Sequence, residues 1–233
     1  SYWPFIDLLQ EFLSRRTGPE QDRAAGLLAV LQSLVEQNCL PAERFEEIAI
    51  LLGNLLSLRF NTEWDDRLKH TGREQVKHQT FLALQDFLAA LARQQPLILV
   101  FEDLHWADDL SLDLLTLLLD IVSTQPLLLL AVYRPEAQPK LTRLARRAGQ
   151  KYPHRLTPIH LRELSAQLSH DLLESLLGVG ALPGPVKTLI LERSRGNPFF
   201  VEEAVRGLID AGVIRQVNGC WRVQAEIDAI ALP

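Results

Sequence analysis

The feature that most constrains this chain is the run Pro96-Leu97-Ile98-Leu99-Val100-Phe101, apolar throughout, which stops abruptly on Glu102-Asp103. A short continuous apolar run of this kind is the signature of a strand buried on both faces of a parallel sheet. The two acids then fall at its carboxyl end, the edge at which open α/β sheets bind ligands. Adjacent carboxylates repel each other unless a cation or a proton separates them.

The residues beyond the acids extend the pattern. Asp108 or Asp109 can cap a helix whose buried stripe is Leu112, Leu115, Leu118 and Leu119, with the cap favoured at Asp108. Pro126 opens a second apolar strand, Leu127–Val132, ending at Tyr133-Arg134-Pro135-Glu136. Strand, helix, strand over this span implies a parallel crossover unit, which brings Arg134 to the same sheet edge as Glu102 and Asp103. A basic stretch from Lys140 to Lys151 contains Arg143, Arg146 and Arg147. It reads as a solvated helix face, or as a contact with phosphate or a neighbouring domain. A short strand near Leu156–Leu161 is the expected next member of the sheet.

Upstream, helical spacing predicts three helices: from Phe5 to Arg16, from Gln21 to Gln37, and one opened by Pro41. A charged loop spans Arg59 to Gly72, and a long helix from Gln75 to Arg93 leads into the apolar strand. Downstream, Ser165 can cap a helix over Gln167–Leu177, and a Gly/Pro-rich connection from Gly178 to Gly184 leads to a helix over Pro185–Arg195. Gly196-Asn197-Pro198 then has the chemistry of a joint: a left-handed glycine, a capping Asn and a first-turn Pro of a helix running to about Asp210. A hairpin turning on Asn218-Gly219 closes the chain.

Composition narrows the function classes. The chain has 233 residues, 47% of them hydrophobic, with 24 Lys and Arg against 29 Asp and Glu and a net charge of −5. That balance argues against general nucleic-acid binding, which needs a basic face to displace counterions. The longest apolar stretches fall well short of the roughly 20 residues of a membrane helix. Cys39 and Cys220 stand in no metal-ligand spacing and read as free thiols of a reducing cytoplasm. A start at Ser1-Tyr2-Trp3 and an end at Pro233 suggest a piece of a longer protein.

The string LILVFEDLHWADDLSLDLL resembles the Walker B segment of the signal-transducing P-loop ATPases, the STAND group of the AAA+-like superfamily, in the bacterial branch found beside nucleotide-cyclase, kinase or LuxR-type domains. Tyr2-Trp3-Pro4-Phe5 and Gly196-Asn197-Pro198-Phe199-Phe200-Val201-Glu202-Glu203 are similar to further segments of that family. The resemblance implies an α/β P-loop NTPase fold of ASCE/AAA+-like type. Residues 1–161 form its partial core, with a helical insertion (1–95), the Walker B strand (96–103) and a sensor strand (127–134); 162–211 form a helical lid and 212–233 the start of a winged helix.

The same resemblance assigns roles. Glu102 takes the magnesium position, acting through water, and Asp103 the position of the base that polarises the attacking water. Arg134 takes the sensor position toward the γ-phosphate, and Asn197 and Pro198 lie near the adenine. The family more often has Asp and then Glu at the first two positions; this branch tolerates the reverse order. His105 and Trp106 match the same string and read equally as a turn packed by the indole.

The chain contains no G-x-x-x-x-G-K-[ST] loop, which in such ATPases holds the phosphates through backbone N–H groups and a lysine. The resemblance therefore implies a fragment lacking the P-loop strand. ATP or ADP and Mg2+ are expected only with an upstream P-loop, hydrolysis is expected in the parent protein and not in this stretch alone, and the gap in the sheet is to be closed by re-pairing or by another molecule. Expected partners are nucleotide, attached sensor and output domains, and a second copy, with neither membrane nor direct nucleic-acid contact. The alternative is a non-catalytic helical scaffold that keeps the NTPase fold.

Overall fold

The computed structural model describes all residues except 1, 18–21, 61–63, 65–67, 69–70, 135–138, 179–181, 218–219 and 224–233. The chain divides into two compact units, Ser1–Thr157 and Pro158–Pro233.

In the first unit, α1 (Trp3–Thr17) and α2 (Arg23–Glu36) precede a 3-10 turn at Ala42–Arg44, α3 (Phe45–Leu55) and the long α4 (Arg73–Gln94). Asp22 caps α2 by accepting from the Ala24 N–H at 2.9 Å. Each helix presents one apolar stripe, and the stripes meet in a single core around Phe5, Leu31, Leu52, Leu84 and Phe87, all fully buried. Arg44 bridges α3 and α4 through Glu47 and through Asp86, 2.7 Å away. Most of the loop from Arg59 to Gly72 lies outside the described residues.

The sheet comes next in the chain. β1 (Leu97–Phe101) pairs in parallel with β2 (Leu127–Ala131), Leu97 opposite Leu127 and Phe101 opposite Ala131, with α5 (Asp109–Thr124) between them in sequence and α6 (Pro139–Lys151) after. The predicted parallel pair is thus present, but burial on both faces is not. Leu99 and Phe101 point into the core, where the Phe101 ring lies 5.0 Å from that of Phe5. Ile98, Val100, Leu128 and Leu130 are exposed on the opposite face, Ile98 by 64%. Among the described residues helices cover one side only, so alternate residues of two uniformly apolar strands face out.

A third strand at Leu156–Leu161 does not form. Residues 156–165 have no regular secondary structure, Ile159 and Leu161 are exposed, and the sheet among the described residues contains β1 and β2 alone. Pro158 removes a ladder donor from the middle of that stretch, and the boundary between the two units falls beside it. No re-pairing closes the sheet among the described residues.

The second unit holds α7 (Ala166–Leu177), α8 (Gly184–Ser194), α9 (Pro198–Asp210) and an antiparallel hairpin, β3 (Ile214–Val217) with β4 (Cys220–Val223). Val186, Ile190, Val201 and Ile214, all fully buried, form its own small core. Ser165 caps α7 through the Leu168 N–H at 3.2 Å. The predicted turn residues Asn218 and Gly219 and the side chain of Cys220 lie outside the described residues, although Val217 opposite Cys220 leaves a two-residue connection.

Candidate functional site

The carboxyl end of β1 is where the chain turns sharply. Asp103 adopts a left-handed conformation, φ 51° and ψ 33°, and a 3-10 turn, Leu104–Trp106, comes directly after it. Asp is among the few non-glycine residues that tolerate this region. The Leu104 N–H donates to the Val132 carbonyl at 3.1 Å, and the Val132 N–H to the Phe101 carbonyl at 2.9 Å, so the turn is stitched to the end of β2.

Glu102 and Asp103 are both exposed, the Asp103 side chain by 78%, and no hydrogen bond or ion pair among the described residues engages Glu102. His105 is the opposite. Its side chain is buried to within 5%, its Nδ1 has no hydrogen-bond partner, and the nearest carboxylate, Asp103 Oδ1, is 3.9 Å away, beyond bonding distance. The neighbouring Trp106 is 82% exposed, its ring 5.1 Å from that of His105. The turn is therefore packed by the imidazole and by Leu104, and the indole, expected to do that work, faces out.

Asp108 is the favoured cap. Its Oδ1 accepts from the N–H groups of Leu110 and Ser111 at 3.0 and 3.1 Å, and its Oδ2 from the Ser111 hydroxyl and the Tyr2 N–H, each at 3.1 Å. Partial burial pushes this carboxyl up, but the Ser111 and Tyr2 hydrogen bonds outweigh it and hold Asp108 below the usual carboxylate range. The tie to Tyr2 carries no sequence signal, because nothing local marks a partner so far away.

A groove of about 780 Å³ runs along β1 from the acids, walled on the other side by Trp3, Leu8 and Phe12 of α1. The Leu97 N–H donates to the Pro126 carbonyl at 2.9 Å, which with the Val132 to Phe101 bond fixes the parity of the ladder. Odd-numbered residues of β1 face β2, and the N–H and C=O groups of Ile98 and Val100 turn to the open edge. A smaller cavity of about 280 Å³ among Glu43, Glu46 and Glu47 lies away from these acids.

Arg134 lies three residues beyond the end of β2, which stops at Ala131 instead of reaching 134. It is exposed, and no ion pair or hydrogen bond among the described residues joins it to Glu102 or Asp103. Asn197 and Pro198 belong to the second unit. There the joint forms as its chemistry predicts: Arg195 and Gly196 are left-handed, Asn197 accepts from the Phe199 N–H at 3.1 Å, and Pro198 opens α9. A Cβ on Gly196 would lie 2.5 Å from the Leu164 carbonyl oxygen, so only glycine fits.

The donor set suits a hard cation held at arm's length. Two carboxylates without a third anionic or imidazole ligand match magnesium, which keeps most of its waters and takes one or two protein carboxylates. Among the described residues no group of three His, Cys, Asp or Glu could hold a metal directly.

A parallel strand pair with two exposed acids at its carboxyl edge, set against a helical core, defines an α/β protein with an acidic sheet edge. Residues 1–130 match the AAA ATPase domain family, more than half of the sequence, and the chain belongs to that family. Residues 165–222 match a second family, described as a domain of unknown function (DUF8739). Neither a curated protein nor a solved structure matches the chain. No helix among the described residues is long and apolar enough to cross a membrane.

Proposed function

We propose that the chain is part of a STAND-type ATPase switch, in which nucleotide binding and slow turnover control attached sensor and output domains in the cytoplasm. The observation that carries this reading is the pair Glu102-Asp103, exposed and unpaired by any Lys or Arg among the described residues, at the carboxyl end of a parallel strand in a chain of the AAA ATPase domain family. Magnesium bound there would neutralise phosphate charge. Glu102 would hold its water shell, and Asp103, free to rotate at the strand tip, would accept a hydrogen bond from the attacking water. Arg134 would contact phosphate oxygens through its planar, permanently charged guanidinium. Asn197 and Pro198 are assigned to the base on the likeness of the Gly196-Asn197-Pro198 segment alone.

The chain has no phosphate-cradling loop of its own, so the reading requires an upstream segment to supply it, together with a strand for the open sheet. The decisive experiment is a thermal-shift titration with magnesium–ATP of this chain beside the same chain extended upstream. A ligand that binds only the folded state stabilises it by about 2.7 kcal/mol at a hundredfold excess over its dissociation constant. A response in the extended chain that is lost in Glu102→Gln supports the switch. No response in either chain leaves a non-catalytic scaffold that keeps the fold.

A further inference from the structure

Along the latter part of the first unit the charges are segregated. From Gln94 to Tyr133 the chain has six carboxylates and no Lys or Arg; from Lys140 to Arg155 it has six Lys and Arg and no carboxylate. Block patterning of this kind points to interaction surfaces when the charges are not consumed internally.

The structure divides the six cations into two groups. Lys140 pairs with Asp109 at 2.5 Å, Lys151 with Asp120 at 2.6 Å, and Arg155 donates to the Val122 carbonyl at 3.1 Å. These three fasten α6 along α5. Arg143, Arg146 and Arg147 are exposed, and none has a hydrogen bond or ion pair among the described residues; Arg147 feels the Asp120 charge only at a distance. With Gln150 they occupy positions i, i+3, i+4 and i+7, the side of the helix away from buried Leu141 and Ala148. Like charges at that spacing repel one another, and α6 holds them in place because both of its ends are fastened.

We propose that this face of α6 docks an acidic protein segment, a partner presenting several Asp or Glu side chains within one or two turns. Guanidinium forks engage carboxylates in paired hydrogen bonds, and a fixed display reduces the entropy lost on binding. The extent of the face selects the partner. Arg143 to Gln150 spans about 10 Å of helix, enough for a short cluster of carboxylates. A nucleic acid would run past it into an otherwise acidic chain, since all 29 Asp and Glu lie outside this segment and only 18 of the 24 Lys and Arg do.

The test is fluorescence anisotropy of the full chain with a labelled decaglutamate peptide and, separately, a labelled short DNA duplex. The expected result is peptide binding that weakens at least about tenfold between about 50 and 300 mM NaCl, and by a similar factor in Arg143→Gln/Arg146→Gln/Arg147→Gln. Far-UV circular dichroism of the triple variant should match that of the unaltered chain. If it does not, the single change Arg146→Gln, at an exposed position opposite Leu141 and Ala148, decides by the same binding loss on an intact fold. Tighter binding of the duplex than of the peptide overturns the proposal in favour of a nucleic-acid surface. Absent peptide binding, or binding indifferent to these arginines, overturns it outright.

Discussion

The backbone N–H of Tyr2 donates to the Asp108 carboxylate at 3.1 Å across 106 residues of sequence, so one side chain both starts α5 and anchors the beginning of α1. Asp108→Ala removes the cap and this tie together. It should cost about 1–2 kcal/mol, measured as a shift in urea midpoint at unchanged slope. Asp108→Asn keeps one acceptor oxygen, enough for the cap but not for the Tyr2 N–H as well, and should recover only part of the loss.

Acid should find the same carboxyl. Hydrogen bonds hold Asp108 below its ordinary value, and the Lys151 and Tyr152 hydrogen bonds do the same for Asp120. A carboxyl depressed in the folded state contributes stability that is complete above its unfolded value of about 3.9 and is lost as pH falls through the folded value. Stability should therefore drop below about pH 4, and the drop should be shallower in Asp108→Asn/Asp120→Asn. Unfolding free energies at stepped pH for the two proteins would show it; identical slopes would count against these hydrogen bonds as the cause.

Glu102 and Asp103 should separate stability from activity. Glu102→Gln removes no described contact and should change stability by less than about 0.5 kcal/mol. Asp103→Gly relieves a left-handed side-chain residue and should stabilise by up to about 1 kcal/mol. A clear loss of stability in either variant, read from thermal unfolding, would show that the acids support the fold.

Gly196→Ala should do the reverse. The new methyl group would meet the Leu164 carbonyl at a positive-φ position, a cost of about 1–3 kcal/mol. Hydrogen exchange should show the loss in α9 and in the Leu164 N–H, which donates to the Gly196 carbonyl at 2.7 Å.

Local signals were the legible ones. Asp108, Ser165 and Asn197 cap the helices their chemistry predicts, since a cap depends on three or four adjacent residues, whereas helical spacing put Asp22, which caps α2, inside a helix begun at Gln21. The parallel pairing of Leu97–Phe101 with Leu127–Ala131 was readable from two apolar runs separated by one helical stripe. Burial of Ile98 and Leu128 was not, because an apolar run records what the strand can bury and not what is there to cover it. The strand expected over Leu156–Leu161 failed for a different reason: Pro158 removes a ladder donor from its middle, and the stretch pairs with no strand among the described residues. At the site, the acids announced themselves by position, whereas the burial of His105 and the exposure of Trp106 depend on the left-handed turn at Asp103, which no periodicity encodes.

The two ion pairs between α5 and α6 also have a mechanical meaning. Lys140 to Asp109 and Lys151 to Asp120 are separated by the same eleven residues on each helix, about three turns, so the helices run parallel and in step. Axial sliding must strain both pairs together, because a shift that lengthens one lengthens the other. Lifting one end of α6 strains only the nearer pair. The helix is thus stiffer along its axis than across it, and its carboxyl end, where Tyr152 also donates to Asp120 and Arg155 to the Val122 carbonyl, resists lifting more than the Lys140 end.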